Sequence, residues 1–245
     1  MLPQPAAPIH QASISQASIS PTSFGPAGIR QMPRASVSRC AERSPLAQAM
    51  QMMGAVMSFP RNSEIFGENE PAEYVNRVIS GSVRTYKILN DGRRQVGGFY
   101  LPGDIFGLEF AEEHTFSAEA VSDAKVVVVK HSAIRALSGR DPAIGSELFA
   151  LTGRELRRVQ DRMLLLVKSA QERVASFLLE MAERAGSGNT IELPMSRQDI
   201  ADYLGLTIET VSRTLTGLAS GAAIEVPTSR RIVLRNRSAL ARLNG

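Results

Sequence analysis

The chain has one cysteine, no tryptophan, three histidines and only 5% aromatic residues among its 245. The lone thiol, Cys40, excludes an intramolecular disulfide and any metal site built on several cysteines of one chain. The histidines, His10, His114 and His131, stand singly. No His-x-His pair lies within residues 60–130, so an enzyme of the cupin kind lacks its clustered ligands. A Gly-x-Ser-x-Gly elbow and a phosphate-binding glycine loop are also missing, which argues against hydrolase and nucleotide-hydrolysing chemistry. No metal and no cofactor are expected. No apolar run reaches the roughly 18 residues of a membrane span. The N-terminus lacks the basic start and compact apolar stretch of a secretion signal, so a cytoplasmic location is expected.

What the chain does have is length, with 43% hydrophobic residues, enough for two domains each with its own core. The net charge of +4 suits a polyanionic partner without requiring one. Residues 1–43 are rich in Pro, Ser, Ala and Gln and repeat QASIS at 11–15 and 16–20. They read as a mobile arm in which Arg30, Arg34, Arg39 and Arg43 are solvated, and the doublet is too short to be an architectural repeat. Cys40 falls in this arm.

From Ser44 the pattern tightens. Ser44 can cap a helix, Pro45 suits its first position, and Leu46, Met50, Met53 and Met57 recur at helical spacing. After Pro60 the period becomes two. Runs at Tyr74–Ser80, Val83–Leu89, Gln95–Leu101, Phe116–Val121 and Lys125–Lys130 are divided by turn signals at Gly81, Asn90-Asp91-Gly92 and Pro102-Gly103. Many short strands with such punctuation predict a jelly-roll β-barrel over residues 44–140. A long helix follows from near Pro142 to about Ala170. Phe149, Thr152, Leu156, Val159, Met163, Leu166 and Ala170 alternate in steps of three and four, the spacing of a two-stranded coiled-coil seam. Charged flanks such as Arg154, Glu155, Arg157 and Asp161 favour a homodimer over burial within one chain. The dimerisation segment is therefore placed at 141–170.

Residues 171–245 carry the most informative signal. A helix from Gln171 to Ala185 precedes SRQDIADYLGLTIETVSR, which reads as two short amphipathic helices joined at Gly205. Ser196 and Asp199 form a capping-box pair, and Thr207 caps the second helix. In a DNA major groove the first turns of that helix face the bases, so Ile208, Glu209, Ser212 and Arg213 are the candidate base readers. A carboxylate there accepts from cytosine N4, and a guanidinium donates twice to guanine. The competing reading is a surface Glu209–Arg213 ion pair worth about 0.2 to 0.5 kcal/mol. Ala223–Val226 and Arg231–Leu234 flank a Pro-Thr-Ser-Arg turn and predict a β-hairpin wing. Ser196, Arg197, Thr207, Thr210, Arg230 and Arg231 are the candidate phosphate contacts. Two such units on a homodimer sit about 34 Å apart, one turn of double-stranded DNA, and call for a palindromic site.

The run LPMSRQDIADYLGLTIETVSRTL, Leu193 to Leu215, resembles the winged helix-turn-helix of the CRP/FNR superfamily of bacterial regulators. Glu-x-x-Ser-Arg at 209–213 is similar to the FNR and FixK branches, which read TTGAT-type half-sites. The resemblance spans nearly all of residues 45–240 and is to FixK-type activators of microaerobic respiration and nitrogen-fixation genes. It implies an α+β chain with a cyclic-nucleotide-binding-like sensory barrel, a dimerisation helix and a DNA-binding domain that recruits RNA polymerase. Cyclic-nucleotide-binding relatives follow a Gly-Glu pair with an Arg-Ser-Ala run whose arginine clamps the phosphate. Here GDIFGLEFAEEHTFSAEA keeps Gly107, Glu109, Ser117 and Ala118 but has Phe116 where the arginine would stand. A buried phosphate without a counter-charge is costly, so no cyclic nucleotide is expected. Oxygen-sensing relatives hold an iron-sulfur cluster on four cysteines, which one cysteine cannot supply. The expected activity is thus activation without a small-molecule effector. A ligand-gated or redox-gated regulator of the same family is the alternative, and a cupin-type enzyme with an appended helical module the remote one.

Overall fold

The computed structural model describes residues 44–109, 112–165, 167–186 and 188–243. The arm expected at 1–43, with Cys40, His10 and its arginines, lies outside the described residues, as does Leu166 of the expected seam.

Helix α1 (Pro45–Met53) starts where Ser44 Oγ accepts the Ala47 amide at 3.2 Å, with proline at its first position. It buries Leu46, Ala47 and Met50. The methionine spacing does not continue to Met57, because the helix stops at Gly54 and β1 (Ala55–Phe59) begins. A Cβ on Gly54 would sit 2.3 Å from Val127 Cγ1 and 2.8 Å from the Met50 carbonyl, so only glycine lets the chain turn against the sheet. Met57 pairs across β1 with Val126, and the switch to period two comes before Pro60.

The barrel consists of two four-stranded antiparallel sheets. One is ordered β1, β8 (Ala124–Lys130), β3 (Tyr74–Ser80), β6 (Ile105–Phe106). The other is ordered β2 (Glu64–Phe66), β7 (Ser117–Ala120), β4 (Val83–Ile88), β5 (Arg94–Tyr100). β8 shows how its sequence, AKVVVVK, serves two cores. Val126 joins Phe66, Val83, Phe106 and Ala118, while Val127 and Val129 face the opposite way, onto Leu46, Met50, Ile134 and Ile144. Each fully buried valine contributes about 1.5 to 3 kcal/mol. The short strands β1, β2 and β6 escape the sequence reading, as does α2 (His131–Ser138).

α3 (Pro142–Leu165) has 24 residues and so is about 36 Å long. Ile144 and Leu151 face the barrel, whereas Phe149, Leu156 and Met163 are 83%, 59% and 64% exposed. Ala170 does not belong to this helix: it opens α4 (Ala170–Ala185). The cause is local. Ser169 takes an extended conformation and forms a reciprocal capping box with Glu172, which nucleates a new helix at that point.

Beyond α4 come β9 (Thr190–Glu192), α5 (Arg197–Leu204), α6 (Ile208–Ser220), the hairpin β10 (Ile224–Glu225) and β11 (Arg231–Leu234), and α7 (Arg237–Leu243). The wing hairpin is joined by β9 into a three-stranded sheet ordered β10-β11-β9. Phe177, Leu178, Met181, Ile200, Leu204, Val211 and Leu215 form the core here. Val96, Phe99 and Val121 of the barrel belong to the same cluster, so the two halves share apolar contacts.

Candidate nucleic-acid interface

Two caps and a left-handed glycine build the helical pair. Ser196 Oγ accepts the Asp199 amide at 3.1 Å, and Asp199 Oδ2 accepts the Ser196 amide at 2.9 Å. α5 ends at Gly205, with φ +64° and ψ 42°, a conformation that a Cβ disfavours. Thr207 Oγ1 then accepts the Thr210 amide at 3.2 Å and lies 3.0 Å from the Thr210 hydroxyl, so both threonines are built into the cap of α6.

α6 buries Val211, Leu215 and Leu218. Its opposite face presents Glu209 and Arg213, both exposed, with Ile208 partly exposed at its first position and Ser212 half-buried between. Residues 209, 212, 213 and 216 fall on one stripe at 3.6 residues per turn. Among the described residues, Glu209 and Arg213 form no ion pair with each other. A carboxylate and a guanidinium thus stand unengaged, one turn apart, on the exposed face. Ser212 Oγ accepts from Arg197 Nη1 at 3.2 Å, which pins Arg197 beside α6 and leaves the hydroxyl proton free to donate.

In the wing, Thr228 Oγ1 accepts the Arg231 amide at 3.0 Å and the Arg230 amide at 3.4 Å, folding the turn that carries both arginines. Thr228 was not among the expected residues, although its Pro-Thr-Ser setting marks a turn. The Arg230 carbonyl is held by the Leu193 amide at 2.7 Å. Arg231 is exposed, with Glu192 at 3.6 Å.

In the barrel, the segment around residues 109–118 packs through its own side chains. The Phe116 ring lies so close to Gly97 that a Cβ there would meet it at 2.9 Å. Buried His114 stacks on Phe66 with ring centres 3.7 Å apart. Glu109 Oε2 accepts the Thr115 amide at 2.9 Å and lies 3.3 Å from His114 Nδ1. Among the described residues no group of three or more His, Cys, Asp or Glu is placed to hold a metal. No helix among them is long and apolar enough to cross a membrane.

Comparison with known proteins places this geometry in a family. Residues 172–243 match the Crp-like helix-turn-helix domain and residues 56–141 the cyclic nucleotide-binding domain. The nitrogen fixation regulation protein FixK of Azorhizobium caulinodans is 53% identical over 204 residues, covering 81% of this chain and 82% of that protein. The chain belongs to the CRP/FNR family of transcription regulators, in its FixK branch. A second FixK of this family, from Rhizobium meliloti, is 38% identical over 83% of this chain and 97% of that one. The structure of FixK2 from Bradyrhizobium japonicum superposes with a TM-score of 0.76 at 49% identity, covering 79% of this chain and 98% of that chain. The barrel, long helix and helix-turn-helix are therefore the family's architecture, as the resemblance over nearly all of residues 45–240 implied.

Proposed function

We propose that two copies of this chain form a cytoplasmic transcription activator that reads TTGAT-type palindromes in double-stranded DNA without a small-molecule effector. Its regulon is microaerobic respiration and nitrogen-fixation genes, the second of these consistent with the names of its FixK relatives. The observation that carries this reading is the unengaged Glu209 and Arg213 on the exposed stripe of α6. Glu209 accepts from cytosine N4, Arg213 donates to guanine O6 and N7, Ser212 adds a hydroxyl contact, and Ile208 packs on a thymine methyl. Arg197, Thr207, Thr210, Arg230 and Arg231 hold the phosphates and set the register; Ser196, expected from the sequence to join them, gives both its amide and its hydroxyl proton to Asp199 and serves as the cap of α5 instead. Arg197 reaches its phosphate from beside Ser212, and the Thr207–Thr210 pair, one hydroxyl of which donates to the other, keeps a single hydroxyl proton to give.

The homodimer forms along α3, where Phe149, Thr152, Leu156, Val159 and Met163 are exposed and lack apolar cover in one chain. Thr152 suits such a seam because its hydroxyl already donates to the Leu148 carbonyl at 3.0 Å. In this division of labour, residues 44–140 are the sensory-type barrel, 141–170 the dimerisation segment and 171–245 the DNA-binding domain. The effector-free part is supported by the sequence, which has Phe116 where the phosphate-clamping arginine of cyclic-nucleotide-binding relatives would stand; its ring packs against Gly97. From the bound dimer the activator recruits RNA polymerase. A mobility-shift titration of purified, ligand-free protein on a TTGAT-containing palindrome tests this. Binding at least about a thousandfold tighter than to scrambled DNA is expected. Equal affinity for both would overturn the proposal, and a requirement for an added small molecule would overturn its effector-free part alone.

A further inference from the structure

A cluster of charges, taken up neither by base reading nor by phosphate contact, joins the barrel to the first helix of the DNA-reading pair. Arg84 on β4 is 7% exposed and donates through Nη1 to Asp199 Oδ1 at 2.8 Å and through Nη2 to Glu119 Oε1 at 2.9 Å. Arg94 on β5 donates through Nη2 to the same Asp199 oxygen at 2.7 Å and through Nε to Asp202 Oδ2 at 2.8 Å. Gln95 adds an amide bond to the Asp202 carbonyl at 2.7 Å. The remaining oxygens are also served: Ser196 bonds Asp199 Oδ2, and Gln198 bonds Asp202 Oδ1 at 2.6 Å.

The surrounding contact is apolar. Phe99 of the barrel lies 5.2 Å, ring centre to centre, from Tyr203 of α5, within the shared core. Apolar burial is non-directional and tolerates rotation of one surface over another. Charged hydrogen bonds through a planar guanidinium are directional, and they fix the angle that the apolar contact leaves open. Buried ion pairs add little net stability because desolvation offsets their attraction; their best-attested role is to select one arrangement among several. Asp199 also caps α5, so whatever orients its carboxylate orients the start of that helix. Burial pulls the Arg94 guanidinium toward deprotonation, but Asp202 and Asp199 outweigh this and hold it charged.

We propose that Arg84 and Arg94 are positioning residues, forming with Glu119, Asp199 and Asp202 an ion-pair latch that sets the angle between barrel and recognition helix. The latch rests on the dimeric DNA-binding reading above and deepens it: the orientation needed to meet two half-sites is built into the chain. Because B-DNA repeats about every 10 to 10.5 base pairs, a two-base-pair change in half-site separation turns one half-site by about 70°. A latched dimer rejects that change, whereas an unlatched dimer swivels to accept it.

The test uses full-length protein and competition binding on palindromes whose half-site separation is altered by one or two base pairs, with an isolated half-site as control. The unaltered protein is expected to prefer one separation by about a hundredfold. Arg94→Ala, whose side chain is partly exposed and which leaves the α5 cap intact, is expected to reduce that preference below about tenfold while half-site affinity stays within about twofold. Arg94→Lys, which keeps the charge but not the fork, should fall between. If Arg94→Ala does not melt cooperatively, the comparison rests on Arg94→Lys, whose preference must fall at least about threefold. Undiminished spacing preference in the folded variant would overturn the latch, as would an equal loss on the isolated half-site. Failure of the unaltered protein to bind any palindrome would instead overturn the underlying reading, and the latch with it.

Discussion

Arg231 and Arg213 both end in guanidinium groups, yet the proposed reading gives them different work. Arg231 sits on the wing with Glu192 nearby and is proposed to meet a phosphate. Arg231→Ala is expected to weaken binding to cognate and random DNA alike and to lower the log–log salt slope of the dimer by about 2, one for each subunit's lost phosphate contact. Filter binding over a salt series reads both effects, and a loss confined to cognate DNA would show that Arg231 reads bases. Tyr100 gives a residue-scale prediction about the fold. Burial pushes its hydroxyl up to about 12, and the Glu155 carboxylate adds to the effect against smaller opposing contributions from Thr85, Arg158 and Arg162. The ordinary tyrosine value is about 10. The unfolded chain therefore loses this proton first. The stability contributed by neutral Tyr100 is whole below about pH 10 and disappears as pH rises toward 12. Ultraviolet titration of the folded protein should show Tyr100 ionising late; ionisation of all four tyrosines near the ordinary value would contradict its burial.

At the scale of elements, the proposed dimer rests on the exposed stripe of α3. Leu156→Glu places two carboxylates in an apolar seam, which costs several kcal/mol, and each of about 1.4 kcal/mol is tenfold in dissociation constant. Sedimentation velocity should then find monomers at concentrations where the unaltered protein is dimeric, and affinity for the palindrome should fall with it. A variant that stays dimeric would relocate the interface. How far elements were legible depends on where their determinants lie. β3 was readable to the residue because Tyr74–Ser80 is rich in residues that favour strands and Gly81, at φ +80°, closes it with a turn that a Cβ disfavours. β1 was not, because Met57 continues a helical spacing and its strand character comes from pairing with β8, some 70 residues later. The break between α3 and α4 was readable in principle: Ser169 and Glu172 spell a capping box inside what looked like one seam. The α5–Gly205–α6 unit was legible throughout because its caps and its glycine act within a few residues.

At the scale of the whole molecule, what the sequence hides is what joins distant segments. Arg84 and Asp199 are 115 positions apart, and neither residue type signals the other. The shared core of Phe99, Phe177 and Tyr203, with Arg162 stacked 4.6 Å above the Tyr203 ring, is likewise assembled from four separate elements. The candidate base readers were named from local pattern alone, since a recognition helix is recognisable by its own caps and polar stripe. Its partners were not, because they are set by tertiary packing. Phe116 lies between these cases: it was visible as a departure from a motif, whereas the packing of its ring on Gly97 required the fold.

The central claim is that Arg213 reads a guanine from the exposed face of α6, and the most direct measurement is a double-mutant cycle across the interface. Affinities are measured for the unaltered protein and Arg213→Ala, each on the TTGAT palindrome and on the same palindrome with the guanine of each half-site replaced. The account predicts that either change alone costs about 1 to 3 kcal/mol per half-site and that the second change costs almost nothing once the first is made. Strictly additive losses, with Arg213→Ala weakening both palindromes by the same factor, would contradict it.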